Sequence, residues 1–388
     1  MKKRRLVAIL ATVAVVASLF AGCGGKPENK DNKAAQEQKK DETKKSDIKI
    51  GLSTDEGGLN DKSFNQAADM GIKKAEKEFG FEYKALESTK KENFVPHLQT
   101  LSTGANSNLT FAIGYQMAEA LAEVAKSAQD KNFAIVDFAP DKPEDVLKNV
   151  QYLRFNDHEG SFLVGVIAAK TSKTGKIGFI GGKQSPLIGK FEAGYIAGAR
   201  AINPNIKVDV RYADSFSDSN KGYELAKAEY GSGCDIVYHA AGGVGLGLFK
   251  ATKEIKDSGK QVWAIGVDQD QVLTVTDANK KPMYADIILT SMIKRVDTAT
   301  YEAVKEVVEG KFQGGKIRTF SLKENGVGIA PTSRGQIPDD VKDIVKQNVS
   351  KEVITLVDKY EAAIKEGKIK VPEKPEDAKK FTTDFKAE

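Results

Sequence analysis

Several side chains in this 388-residue chain have the chemistry to hold a small planar molecule that carries hydroxyls. Asp268 closes the apolar run VWAIGV, and a carboxylate fixed there could accept two hydrogen bonds from a vicinal diol, or could cap a following helix. Asp137 follows FAIV in the same manner and could receive a base N–H, or serve the turn DFAPD. Phe216 stands in the polar loop DSFSDSNKG, where its flat ring suits stacking on a planar ligand or anchoring the loop. Lys294, in TSMIKRVD, could donate to hydroxyls or phosphate, or lie on a solvated helix face. The stretch DEGGLNDKSFNQ, Asp55 to Gln66, holds more hydrogen-bonding groups than a turn and one helix cap require.

The same survey gives no support to catalysis. The three histidines, His97, His158 and His239, are far apart in sequence, and there is no HExxH, cysteine cluster or GxSxG elbow. AGGVGLG lacks the G-x-G-x-x-G order of a dinucleotide site, and FIGGKQSP lacks the Walker ending. The chain is therefore expected to bind rather than turn over its ligand, with no metal and no cofactor. Of the formal net charge of +5, Lys2, Lys3, Arg4 and Arg5 supply four, which leaves no basic surface for nucleic acid. Of the two cysteines, Cys234 begins an apolar strand and reads as a buried structural thiol.

Such groups need elements to position them. Short apolar strands are expected at IKIGLST, LTFAIG, FAIVDFA, KIGFIGG, KVDVRYAD, DIVYHAA and QVWAIGVD, separated by helical patterns such as SFNQAADMGIKKAEKEFG and GKFEAGYIAGARAIN. Strands apolar on both faces and spaced by helices indicate an α/β protein with covered parallel sheets. The pattern occurs twice, so two doubly wound parallel-sheet lobes joined by a hinge are expected. FNDHEGSFLVGVIAAKTS links them, and the strand and helix in Tyr284 to Gly310 return to the first sheet. That reading places 47–157 with 284–388 in one lobe and 158–283 in the other. Ligands of such sheets sit outside the carboxyl ends of the strands, where Asp137, Asp268, Tyr115 and the opening loop would lie.

Residues 1–22 have the form of an export signal: MKKRR, then an apolar run ending in Ala21 and Gly22 before Cys23. This ending resembles a lipobox, which implies a lipidated Cys23. Residues 23–46, rich in charge and free of large apolar side chains, read as a disordered tether. The expected location is the extracytoplasmic face of the cell membrane, held by lipid.

GGLNDKSFNQ, AIVD, AGGVG, GVDQDQ and TSMIKRVD together resemble the basic membrane protein family of bacterial lipoproteins, the PnrA-like substrate-binding proteins of ABC transporters. The resemblance implies a type I periplasmic-binding-protein-like fold that closes on a purine nucleoside and passes it to an ABC permease. Carried over, it implies that Asp61, with Lys62, Ser63 and Asn65, lines the cleft from the first lobe and that Asp137 reads the base edge. It further implies that Phe216 stacks on the purine, that Gly243 brings backbone close, and that Asp268 with Lys294 holds the ribose. Glu56 stands where family members that sandwich a purine carry a first aromatic ring, though its carboxylate can accept hydrogen bonds. Either Phe64 or Tyr115 supplies the ring, or the ligand is not a standard nucleoside. The remaining alternatives are a receptor for another polar or planar ligand, such as a sugar or a riboflavin-like molecule, and a surface interaction lipoprotein.

Replacing Cys23 by Ser should release the protein into the medium or leave it unprocessed; mature, membrane-bound Cys23→Ser protein in a fractionated culture would contradict the lipobox reading.

Overall fold

Two sheets built on the same plan carry the cleft. The computed structural model describes residues 47–385, so the expected signal and tether, Cys23 included, lie outside the described residues. Among the described residues no helix is long and apolar enough to cross a membrane. In chain order the strands are β1 (Lys49–Ser53), β2 (Glu82–Leu86), β3 (Leu109–Ile113), β4 (Asn132–Val136), β5 (Val150–Phe155) and β6 (Lys176–Gly181). They continue as β7 (Lys207–Tyr212), β8 (Ile236–Ala240), β9 (Trp263–Asp268), β10 (Ile288–Lys294), β11 (Ile317–Phe320) and β12 (Val327–Ile329). The sheets are ordered β11-β5-β4-β3-β1-β2 and β12-β10-β9-β8-β6-β7. Every pairing is parallel except that of β12 with β10.

The seven strands expected from apolar runs form where they were expected, and the α/β class holds. LTFAI in β3 and IVYHA in β8 are buried at every position, as central strands covered by helices on both faces must be. Three strands of the first lobe, β2, β5 and β11, were not anticipated. β2 (EYKAL) is an edge strand with Glu82 exposed, and charge on an edge both blunts it against foreign pairing and hides it from an apolar scan. β5 (VQYLRF) carries Gln151 and Arg154 among its apolar residues.

The connections between lobes depart from expectation. The strand in Tyr284 to Gly310 was expected to rejoin the first sheet, but β10 pairs with β9 in the second. Only the helix after it, Val296–Val308, returns to the first lobe, where Thr300 Oγ1 donates to the Ala68 carbonyl at 3.1 Å. β11 then joins the first sheet beside β5, and β12 goes back to the second beside β10. The chain thus passes between the sheets three times, at Phe155–Asp157, Lys294–Val296 and Phe320–Val327, instead of two. The C-terminal helix Lys351–Lys365 also packs in the second lobe, through Tyr360 against Phe162 with ring centroids 5.7 Å apart, and not in the first.

The helix Asp157–Thr171 has no polar face, and 11 of its 15 residues are buried. Its partner is the helix Pro186–Ile202, and glycines let the two backbones touch. A Cβ on Gly165 would lie 2.3 Å from the Tyr195 carbonyl oxygen, one on Gly194 2.1 Å from that of His158, and one on Gly198 2.0 Å from that of Phe162. The buried carbonyls cannot retreat, so the helices would have to separate. Gly198→Ala should therefore destabilise the protein by about 1–3 kcal/mol, as overpacking does, despite alanine's higher helix propensity. Urea denaturation checks this, and an unchanged midpoint would show that the helices can move apart freely.

Candidate functional site

A cavity lies between the lobes, lined by groups that follow the carboxyl ends of β1, β3, β4, β8, β9 and β10. Its deepest cation is Lys294, the last residue of β10, only 2% exposed. The ammonium lies 2.7 Å from Asp137 Oδ2 and 3.0 Å from Asp157 Oδ1. The rings of Phe64, Phe155 and Phe191 surround it with centroids 5.1–5.2 Å away. Burial alone would lower the lysine pKa, but Asp137, Asp157 and Asp268 hold it above its ordinary value.

The carboxylates are out of balance with that one cation. Burial pushes Asp268 up to about 7, against the pull of Lys294 and of the Ser63 hydroxyl. It pushes Asp61 up to about 6 although three backbone N–H groups favour the charged form. Asp137 is raised for the same reason and retains one oxygen, Oδ1, that is buried with no protein partner. Asp137 and Asp268 both adopt left-handed backbone, with φ of 69° and 66°, immediately after β4 and at the end of β9. That conformation is uncommon outside glycine, and it turns each carboxylate off the strand end into the cleft.

The opening loop divides its work. Asp61 lines the cavity, but its oxygens accept from the backbone N–H groups of Ser63 (2.9 Å), Asn65 (2.8 Å) and Gln66 (3.1 Å), capping the helix Phe64–Phe79. Asn65 donates to Asp55 Oδ1 at 2.8 Å, and its own Oδ1 is buried without a protein partner. Ser63 donates its hydroxyl to Asp268 across the cleft, and its carbonyl accepts from Gln269 Nε2 at 2.8 Å. Lys62, at φ 56°, contributes its backbone: Gln271 Nε2 of the second lobe donates to its carbonyl at 2.9 Å. Gln271 is held in turn by His239, 3.0 Å from its Oε1, and by the Val267 N–H. The lobes are therefore closed on each other.

Of the residues singled out from sequence, Asp61, Asn65, Asp137, Phe216, Asp268 and Lys294 come together on the cavity wall. Ser63 and Lys62 stand behind it as cross-lobe ties. Gly243 is displaced by its neighbour: Gly242 lines the cavity, while the Gly243 N–H donates to the Phe216 carbonyl and fixes that loop. Glu56 turns away and ion-pairs with Lys183. Phe216 packs over Gly182, where a Cβ would lie 2.2 Å from the ring, and meets Tyr115 edge-on at 6.5 Å. The aromatic wall also includes Phe64 and Phe191. Phe191 and Leu187 read in sequence as ordinary core positions of an amphipathic helix, so nothing marked them as cleft residues. Asp55 was marked in the sequence only as the first residue of the opening loop, without a role of its own.

Two lobes with this sheet order, clasped around an interlobe cavity, define a solute-binding protein of the periplasmic-binding type. A solute-binding protein of an ABC transporter system from Aeropyrum pernix K1 superimposes with a TM-score of 0.73 at 26% identity, covering 86% of this chain and 96% of that one. The chain belongs to the Bmp family, described as ABC transporter substrate-binding protein PnrA-like, whose model matches residues 48–374. Among its relatives are the ABC transporter nucleoside-binding protein BmpA of Lactococcus lactis, 37% identical over 96% of this chain and all of that one. The CD4+ T-cell-stimulating antigen of Listeria monocytogenes is 36% identical over 97% of this chain and all of its own length. Basic membrane protein A of Borreliella burgdorferi is 34% identical over 82% of this chain and 91% of its own. The protein is thus an ABC-type substrate-binding protein and not an enzyme.

The raised carboxyls set a pH dependence. Between the unfolded aspartate value near 4 and about 7, folded Asp268 holds a proton that the unfolded chain has released, so stability falls as pH rises through that window. The buried His158 and His239, pushed down to about 4 by burial, act in the opposite sense as the unfolded chain takes up protons around pH 6.5. From pH 8 down to 6.5 each carboxyl that burial holds near 7, Asp157, Glu229 and Asp268, should add about 0.8 kcal/mol, and each of the two histidines should offset about 0.4 kcal/mol. The melting midpoint of the ligand-free protein should therefore rise over that interval, less so in Asp268→Asn; a midpoint that falls would contradict the placement of these carboxylates.

Proposed function

We propose that the protein binds a purine nucleoside in the interlobe cavity and delivers it to an ABC permease while held to the extracytoplasmic membrane face by lipid on Cys23. The observation that carries this reading is the pairing, in one cavity, of an aromatic wall with carboxylate and amide acceptors that no protein group satisfies. Phe216, with Tyr115 and Phe64 nearby, offers stacking surface for the base. The unpaired Oδ1 atoms of Asp137 and Asn65 suit base N–H donors. Asp268 and Lys294 offer an acceptor and a donor to the ribose hydroxyls.

The lining also speaks against a nucleotide. Asp55, Asp61, Asp137 and Asp268 face the cavity against the single lysine Lys294, and a phosphate there would meet like charge. A neutral, donor-rich, planar ligand fits this field. The nucleoside-binding relative from Lactococcus lactis supports the same class. The displacement of Glu56 onto Lys183 leaves the first ring to Tyr115 or Phe64, so a standard nucleoside remains compatible with the wall.

Titration of the purified protein with inosine, guanosine, adenosine, cytidine, riboflavin, ribose and inosine monophosphate tests this. Purine nucleosides should raise the melting midpoint by several degrees, whereas ribose and the monophosphate should not. Asp268→Ala should lose binding while keeping a cooperative melt. A protein that responds to riboflavin or a sugar alone would move the ligand to another class, and one that ignores every nucleoside would end the purine reading.

A further inference from the structure

The lobes are tied at two depths. The inner ties, Ser63 to Asp268 and Gln269 to the Ser63 carbonyl, join buried groups beside the cavity. The outer tie lies at its mouth. Glu56, in the loop after β1, ion-pairs with Lys183, which follows β6 in the other lobe, their side chains 21% and 27% exposed. Close by, Tyr115 of the first lobe and Ser185 of the second share the wall of an outer groove. Among the described residues, Tyr115 alone lines both the ligand cavity and a broad outer groove whose wall includes Lys183, Gln184 and Ser185. A ring in that position separates bound ligand from the groove. Its edge-on contact with Phe216 at 6.5 Å completes the partition from the second lobe.

We propose that Glu56 and Lys183 form an electrostatic latch at the cleft mouth, with Tyr115 as the barrier behind it, that sets how long the closed lobes retain their ligand. Neither latch residue lines the cavity, so the pair acts on release and leaves the preference among ligands alone. Its partial exposure makes it the tie that salt can weaken, whereas the inner ties are shielded from counterions. Ligand residence should then shorten as ionic strength rises even though the ligand is uncharged. The latch rests on the cleft-binding reading given above.

Dissociation of labelled inosine from the full-length protein, followed at 50 and 500 mM NaCl, tests it. Lys183→Met should release inosine roughly two- to fivefold faster at low salt, the range expected of a partly exposed ion pair, and should lose most of the salt dependence. The exchanged pair, Glu56→Lys with Lys183→Glu, should recover slow, salt-sensitive release, and the ranking of inosine, guanosine and adenosine should be the same in all three proteins. Small-angle scattering of the ligand-free proteins gives a second readout, with a larger radius of gyration expected for Lys183→Met than for the parent and the exchanged pair. Unchanged release and unchanged scattering in Lys183→Met would overturn the latch. If the parent binds no nucleoside, the ligand reading fails by itself, and the scattering comparison alone decides whether the pair holds the lobes together.

Discussion

The ammonium of Lys294 has been taken out of water, and both lobes supply what makes that tolerable. An unpaired buried cation would cost several kcal/mol, so the fold has to surround it with acceptors and polarisable faces. Asp137 comes from the end of β4 in the first sheet, Asp157 from the start of the helix beyond the first crossing, and the rings of Phe64, Phe155 and Phe191 complete the enclosure. Because Lys294 itself ends β10 of the second sheet, this one charge joins the carboxyl ends of the two sheets at the point where the chain passes between them. The cavity lies beside that junction, and of the carboxylates that line it Asp137 pairs with the lysine while Asp55, Asp61 and Asp268 are in excess of cation.

Around this centre, groups that could bind ligand are divided between those that serve the protein and those left over. Asp61 is absorbed by the helix Phe64–Phe79, whose first N–H groups would otherwise be buried without acceptors. That commitment fixes Asn65, which satisfies Asp55 with its amide nitrogen and leaves its oxygen buried without a protein partner. In the second lobe, His239 and the Val267 N–H orient Gln271 so that its nitrogen reaches the Lys62 carbonyl. Loop polarity that looked excessive in the sequence is thus divided among a helix cap, a set of cross-lobe bonds and a remainder of free acceptors.

What the sequence disclosed follows from how each feature is encoded. Central strands are written as continuous apolar runs, and these, together with the half-buried edge strand β7, marked out the two-lobed α/β plan. β2, β5 and β11 carry charge or polar groups and sit at or near a sheet edge, where burial on both faces is relaxed and the apolar signal fades. The destination of β10 was not legible, since an apolar strand fits either sheet and only pairing with β9 decides. Asp137 and Asp268 could be picked out because each ends an apolar run, but their left-handed backbone could not. Phe191 was hidden for the opposite reason: a phenylalanine on an amphipathic helix looks the same whether it faces core or cleft. Glu56 was placed in the right loop, but its partner lies 127 residues away, beyond anything local spacing reveals.

The three crossings carry a mechanical consequence. Two of them are single-residue links, Asn156 and Arg295, and all three lie side by side, since Phe155 pairs with Phe320 in one sheet and Lys294 with Val327 in the other. Bodies fastened along a short row of links, two of them too short to slacken, can swing about that row, but they resist shear and torsion. The facing walls consequently meet at one set spacing each time they shut. Such a cleft acts as a gauge: it accepts a guest of matching thickness and gives a downstream transporter one unambiguous shape to detect.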